Sequence, residues 1–122
     1  MTLAVLVGLA AAFGAVARYL VDLIVQSWHD QELPWGTFVV NVTGSFVLAL
    51  ASGLATHHGL DRDAAVVLTA GLAGGYTTWS TLMWESAALA TDDSVIAATV
   101  NVAGSLAAGL LAAAAGYALA LV

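Results

Sequence analysis

Few residues in this 122-residue chain can do chemistry. Arg18 and Asp22 stand four apart, one turn apart on a single helix face, and are expected to form a structural pair. Thr37, Asn41 and Ser45 repeat that interval, with Thr43 beside them. They make a line of neutral hydrogen-bonding groups, and an Asn amide both donates and accepts. Inside a membrane such a line either ties helices together or borders a path for a small polar solute or an anion. The residues alone favour neither. The segment Gly71-Leu-Ala-Gly-Gly-Tyr-Thr-Thr-Trp-Ser-Thr81 sets two adjacent glycines before two adjacent threonines, which oppose a regular helix. A helix break is expected between Gly74 and Thr78. It frees carbonyls on one half-helix and N–H groups on the other. The carbonyls suit a hard cation such as sodium, and the N–H end favours an anion. Glu85 follows, and a place facing a water-filled vestibule is expected for it. Asn101 and Ser105, again four apart, either extend the polar line or bond across to the second helix. His57 and His58, with Asp61 and Asp63 nearby, read as solvated loop residues, since no second ligand cluster of matching spacing accompanies them. No Ser–His–Asp constellation and no phosphate-binding glycine loop occurs, so an enzyme is not expected.

The elements that position these groups follow from composition. The chain is 61% hydrophobic and 8% charged, with a mean hydropathy of +0.97. An average soluble domain is about 25% charged, and a chain this short has too little interior to hide so much apolar surface. Lipid is the expected surrounding, in the cell membrane. Asp30 with Glu32, Asp61 with Arg62 and Asp63, and Asp92 with Asp93 mark three polar breaks. Between them lie apolar segments at about 2–27, 35–56, 64–90 and 94–122, each long enough to span a bilayer as a helix. The expected fold is a single all-α membrane domain of four transmembrane helices. Helices are required because every backbone polar group must be paired inside hydrocarbon, and the alternation of a barrel strand is missing. No Lys or Arg precedes the first apolar run, which reads as a retained helix and not a signal peptide. Arg18 and Arg62 fall on opposite sides of the membrane and leave almost no orientation bias, so an antiparallel, dual-topology dimer is open to the chain. Gly8 with Ala12, Gly71 with Gly75, and Ser105 with Gly109 are small residues at four-residue spacing, expected to pack within the four-helix unit. The formal charge of −6 excludes nucleic-acid binding, and the lack of cysteine excludes disulfides and thiolate metal sites.

Three stretches together resemble one family, the small four-helix fluoride channels called Fluc or CrcB. They are Gly14-Ala-Val-Ala-Arg18-Tyr19, the run from Pro34 through Thr37, Asn41 and Ser45 to Phe46, and Gly74-Gly75-Tyr76-Thr77-Thr78-Trp79-Ser80-Thr81 followed by Glu85. The resemblance covers nearly the whole chain. It implies an antiparallel homodimer with a structural sodium ion at its centre, held by carbonyls of Gly74 and Thr77 from both chains. It implies two fluoride pathways and a passive leak of fluoride out of a microbial cell. On this chain the pathway residues are Asn41, Trp79, Leu82, Thr37, Ser80, Thr81, Ser105 and Glu85. The family usually has two Phe where Trp79 and Leu82 stand, Tyr at Asn101, and glycines where Ala11 and Ala12 precede Gly14. Those departures predict altered fluoride throughput or selectivity, or a heterodimer in which a paralogue supplies the missing rings. A small multidrug exporter is a competing class, but it needs a carboxylate in the middle of the first helix, where this chain is apolar. A non-transporting membrane scaffold is another, and it predicts that Asn41→Asp leaves all ion fluxes unchanged.

Overall fold

The computed structural model describes residues 2–29, 33–92 and 94–122. Asp30, Glu32 and Asp93, from the polar breaks, lie outside the described residues. The elements are α1 (Thr2–Ser27), α2 (Trp35–His57), α3 (Arg62–Val66), a π-helical stretch (Val67–Ala73), α4 (Gly74–Tyr76), α5 (Trp79–Asp92) and α6 (Val95–Leu119). Among the described residues there is no strand. Three of the helices, α1, α2 and α6, are long and apolar enough to cross a membrane.

Polar residues in the breaks start the next helix. Asp61 Oδ2 accepts the N–H groups of Asp63 and Ala64 at 3.0 and 3.2 Å, capping α3. Ser94 Oγ accepts from Ala97 N–H at 3.0 Å and caps α6. The π-helical stretch adds a residue to the hydrogen-bond ladder just before the break. Its Thr69 Oγ1 donates back to the Ala65 carbonyl of α3 at 2.7 Å.

Packing runs through small residues. The α2 helix lies against α6, while α1 lies against the π-helical stretch and α4, and α5 leans on α6. A Cβ on Gly75 would run into the Ala11 backbone, and one on Gly14 would run into the Leu72 carbonyl. The neighbours there are main chain and cannot swing aside. Gly75→Ala is therefore expected to cost at least the upper part of the roughly 1–3 kcal/mol typical of overpacking. The readout is a lowered thermal midpoint or loss of the monodisperse peak in detergent. Gly8→Ala is the control, because nothing lies within 4 Å of the added carbon.

The expected small-residue contacts hold in part. Gly71 meets Ala10 and Val7, so it packs inside the chain as Gly75 does. Gly8 does not, because its side of α1 faces outward beside exposed Val5 and Leu9. Gly109 meets only Ser45 Oγ, at 3.5 Å. The large outward residues are apolar, among them Phe13, Ile96, Leu110 and Leu111, while the buried set includes Thr37, Thr78, Ser86, Asn101 and Ser105. Large apolar residues outside, with the polar residues of the spans buried among small apolar ones, is the distribution of a chain whose solvent is hydrocarbon.

Both histidines are exposed at the end of α2, and each also bonds to the end of α6. His57 Nε2 pairs with the Tyr117 hydroxyl at 3.0 Å, and His58 Nε2 donates to the Ala120 carbonyl at 2.8 Å. They tie the end of α2 to the end of α6. Among the described residues no group of three or more His, Asp or Glu could hold a metal ion.

Candidate functional site

The third segment breaks at Thr77 and Thr78, between α4 and α5. Thr77 N–H still bonds the Ala73 carbonyl at 2.9 Å, and then the chain extends at Thr77, with φ −76° and ψ 157°. In a continuing helix the Thr78 N–H would reach Gly74. It goes to Asn41 Oδ1 at 2.8 Å instead, and Asn41 Nδ2 donates to the Thr78 carbonyl at 2.9 Å. Asn41 thus holds both polar groups of one residue in the break. Thr78 Oγ1 accepts the Thr81 N–H at 3.2 Å, so Thr78 is the N-cap of α5. Thr78→Val keeps the shape and removes the cap. It is expected to cost about 1 kcal/mol, read as a thermal midpoint a few degrees lower.

The break is narrower than expected. Gly74 and Gly75 stay helical, since Gly75 serves the contact with α1 and the unwinding is carried by the capping threonine and its Asn41 clamp. Diversion of the Thr78 and Thr81 N–H groups removes the α-helical donors of the Gly74 and Thr77 carbonyls. Arg18 Nη1 donates to the Thr77 carbonyl at 3.4 Å.

The expected Arg18–Asp22 pair is not formed. Arg18 turns to the freed carbonyl, while Asp22 sits in the notch left by the missing Cβ of Gly36. Both still line one cavity of 160 Å³, with Thr37, Val40, Thr78 and Thr81. A second cavity, of 320 Å³, is bordered by Asn41, Ser45, Thr77, Thr78, Trp79, Leu82 and Ser105. Thr78 belongs to both. The line of Thr37, Asn41 and Ser45 is therefore divided, with Thr37 on one cavity and the other two across the break. A third cavity, of 230 Å³, is mainly apolar and lies between Trp35, Phe38, Val100 and Asn101, with Ser105 on its wall.

Among the described residues two buried side-chain atoms have no hydrogen-bond partner, Glu85 Oε2 and Ser105 Oγ. An unmade buried hydrogen bond costs about 1–3 kcal/mol, so such atoms mark where water or a ligand belongs. Glu85 turns inward, and its Oε1 accepts from Thr37 Oγ1 at 2.8 Å. Ser105 stands where the second and third cavities meet. Trp79 is 60% exposed at the lip of the second cavity, whereas Leu82 is buried. Exposed Ser80 keeps its hydroxyl 3.4 Å from Thr78 Oγ1, and Thr81 Oγ1 accepts from the same oxygen at 3.0 Å.

Asn101 does not reach the second helix. Its Nδ2 donates to Ser86 Oγ at 2.9 Å, and Ser86 Oγ donates to the Leu82 carbonyl at 2.6 Å. The reason is the packing of α5 on α6. Ser86 and the capping role of Thr78 are what sequence reasoning missed. A Thr three residues before another polar residue at a half-helix start was the available signal for the cap.

Comparison with known proteins follows the same residues. Residues 5–117 match the family described as CrcB-like protein, camphor resistance. The chain is 44% identical over 115 residues to the fluoride-specific ion channel FluC 1 of Frankia casuarinae, covering 90% of this chain and 89% of that protein. It is 46% identical over 107 residues to FluC 1 of Rubrobacter xylanophilus, covering 88% and 84%. It is 44% identical over 106 residues to FluC of Chlorobaculum tepidum, covering 86% and 83%. The family match spans the α1 Arg18 turn, the Asn41 clamp and the broken third segment alike, and the chain belongs to the CrcB-like family.

Proposed function

We propose that this chain forms a fluoride-selective channel in the cell membrane, through which cytoplasmic fluoride leaves by passive flux. One observation carries the reading: neutral donors and the unpartnered Ser105 hydroxyl border a clamped helix break, in a chain whose relatives are named fluoride-specific channels. Fluoride is small and strongly hydrated, so a pore must replace its water without holding it fast. Asn41 has a second Nδ2–H beyond the one spent on Thr78. Ser105, Ser80 and Thr81 supply hydroxyls, Thr37 borders the path with its hydroxyl hydrogen held by Glu85 Oε1, Trp79 supplies an electropositive ring edge and an indole N–H, and Leu82 walls the cavity.

The finer architecture belongs to the same proposal. Residues 62–92 act together as a fourth, broken span beside α1, α2 and α6, making one transmembrane domain. Two copies pair in opposite orientations, as the balanced Arg18 and Arg62 permit. The carbonyls of Gly74 and Thr77 fit a sodium ion, being hard oxygen donors at an unwound point and without helical partners. One chain offers two such oxygens, so a second copy completes the set. That ion supplies cohesion at the dimer centre and takes no part in moving fluoride.

The test is fluoride efflux from liposomes holding only this purified chain, with chloride as the control. Fluoride-selective efflux is expected. A folded dimer that passes no fluoride would overturn the homomeric reading, and rescue by a second CrcB-like chain would assign the channel to a heterodimer. Transport of drugs abolished by Asp22→Asn would point instead to an exporter.

A further inference from the structure

Asp22 has no task in the functional reading so far. Its carboxylate makes no hydrogen bond and no ion pair among the described residues, although Arg18 lies one turn away on the same helix. It is only partly exposed and opens on the 160 Å³ cavity that Arg18, Thr37, Thr78 and Thr81 also line. A carboxylate at membrane depth is expensive to keep, and one left unpaired beside an available cation calls for a reason. The packing does not supply one. The notch at Gly36 that receives Asp22 would hold a neutral side chain of the same shape.

The charges around the cavity give the reason. Arg18 is one of only two basic residues in the chain. Among the described residues its guanidinium makes one long bond, 3.4 Å, to the Thr77 carbonyl, and Arg18 lines the cavity with N–H donors still unspent. Thr37, Thr78 and Thr81 line the same space; Thr37 and Thr78 spend their hydroxyl hydrogens on Glu85 and Thr81, which leaves the Thr81 hydroxyl to donate. A guanidinium with a hydroxyl donor beside it in a low-dielectric pocket binds a small anion tightly, and a conducting site must also let it go. We propose that Asp22 is the countercharge that sets how tightly the Arg18 cavity holds fluoride. It lowers occupancy and speeds release without entering the anion's coordination. This rests on the fluoride-channel reading.

The test compares liposome efflux for the wild-type chain, Asp22→Asn and Asp22→Glu over a range of fluoride concentrations. Removing the countercharge is expected to lower the half-saturating fluoride concentration about tenfold and to lower the maximal rate as release slows. Asp22→Glu is expected to restore wild-type values for both. A purely structural Asp22 would change the amount of folded protein without separating the two parameters. Unchanged or raised half-saturation in Asp22→Asn, with wild-type flux intact, overturns the proposal. If Asp22→Asn does not assemble, Asp22→Ser is measured instead. Failure of both neutral variants where Asp22→Glu assembles assigns Asp22 to folding and also overturns it. Absence of flux in the wild-type chain is a separate result and refutes the channel itself.

Discussion

Asn41→Asp is expected to lower fluoride flux by at least about a hundredfold, equivalent to about 2.7 kcal/mol or more. Asn41 spends its oxygen on the Thr78 N–H and one N–H on the Thr78 carbonyl. A carboxylate keeps the first bond and loses the second, since it only accepts. The Thr78 carbonyl would then face an anionic oxygen at hydrogen-bond distance, within a residue that is 8% exposed. Half of the clamp becomes repulsive, and the broken carbonyl is left without a partner. The same change puts a fixed negative charge on the wall of the 320 Å³ cavity, which repels any entering anion. Asn41→Ala separates the two effects. It removes the clamp without adding charge, so it is expected to lower the thermal midpoint as much while retaining more flux. Initial efflux rates, together with gel-filtration profiles, check both variants. Wild-type flux in an assembled Asn41→Asp protein would reduce Asn41 to a tie between helices.

The clamp on Thr78 shows how far the site was legible from sequence. Asn41 was visible as a polar group at membrane depth, but its readings as glue and as pore wall stood level. The choice depended on what faced it 37 residues away. The all-helical character was legible because ten charged residues, grouped mostly in three breaks, leave long apolar runs that only helices satisfy. The break was legible as a composition anomaly, yet its location was not. Glycine lowers helix propensity, so adjacent Gly74 and Gly75 drew the expectation toward themselves, while tertiary contact with Ala11 keeps Gly75 helical and Asn41 opens the chain two residues later. The Arg18–Asp22 pair failed for a related reason. Helical spacing gives opportunity, and the freed Thr77 carbonyl offered the guanidinium another partner. The bonds of Asn101 to Ser86 and of His58 to Ala120 depend on which helices pack together, and no local pattern carries that information.

Replacing sodium by a large organic cation such as N-methylglucamine is expected to have the second large effect. Gly74 and Thr77 each lose a helical donor because Asn41 and Thr78 take the N–H groups that would have reached them. Two carbonyl oxygens per chain at an unwound point attract a small hard cation, and N-methylglucamine is too large to approach them. If a sodium site at the dimer centre has a Kd of about 1 mM, then 100 mM sodium stabilises the assembled state by about 2.7 kcal/mol, all of it lost on replacement. A thermal midpoint that falls and a dimer that dissociates in detergent would report this without reference to transport, and fluoride efflux should fall with them. Arg18 sharpens the test. Its bond to Thr77 occupies one lone pair of a carbonyl that a bound sodium ion would also need, so Arg18→Gln is expected to shift the sodium dependence of the midpoint to lower concentration. A midpoint and an efflux rate indifferent to sodium in both proteins would assign the Gly74 and Thr77 carbonyls to water. The break would then serve the pore through its N–H end and the Thr78 cap alone.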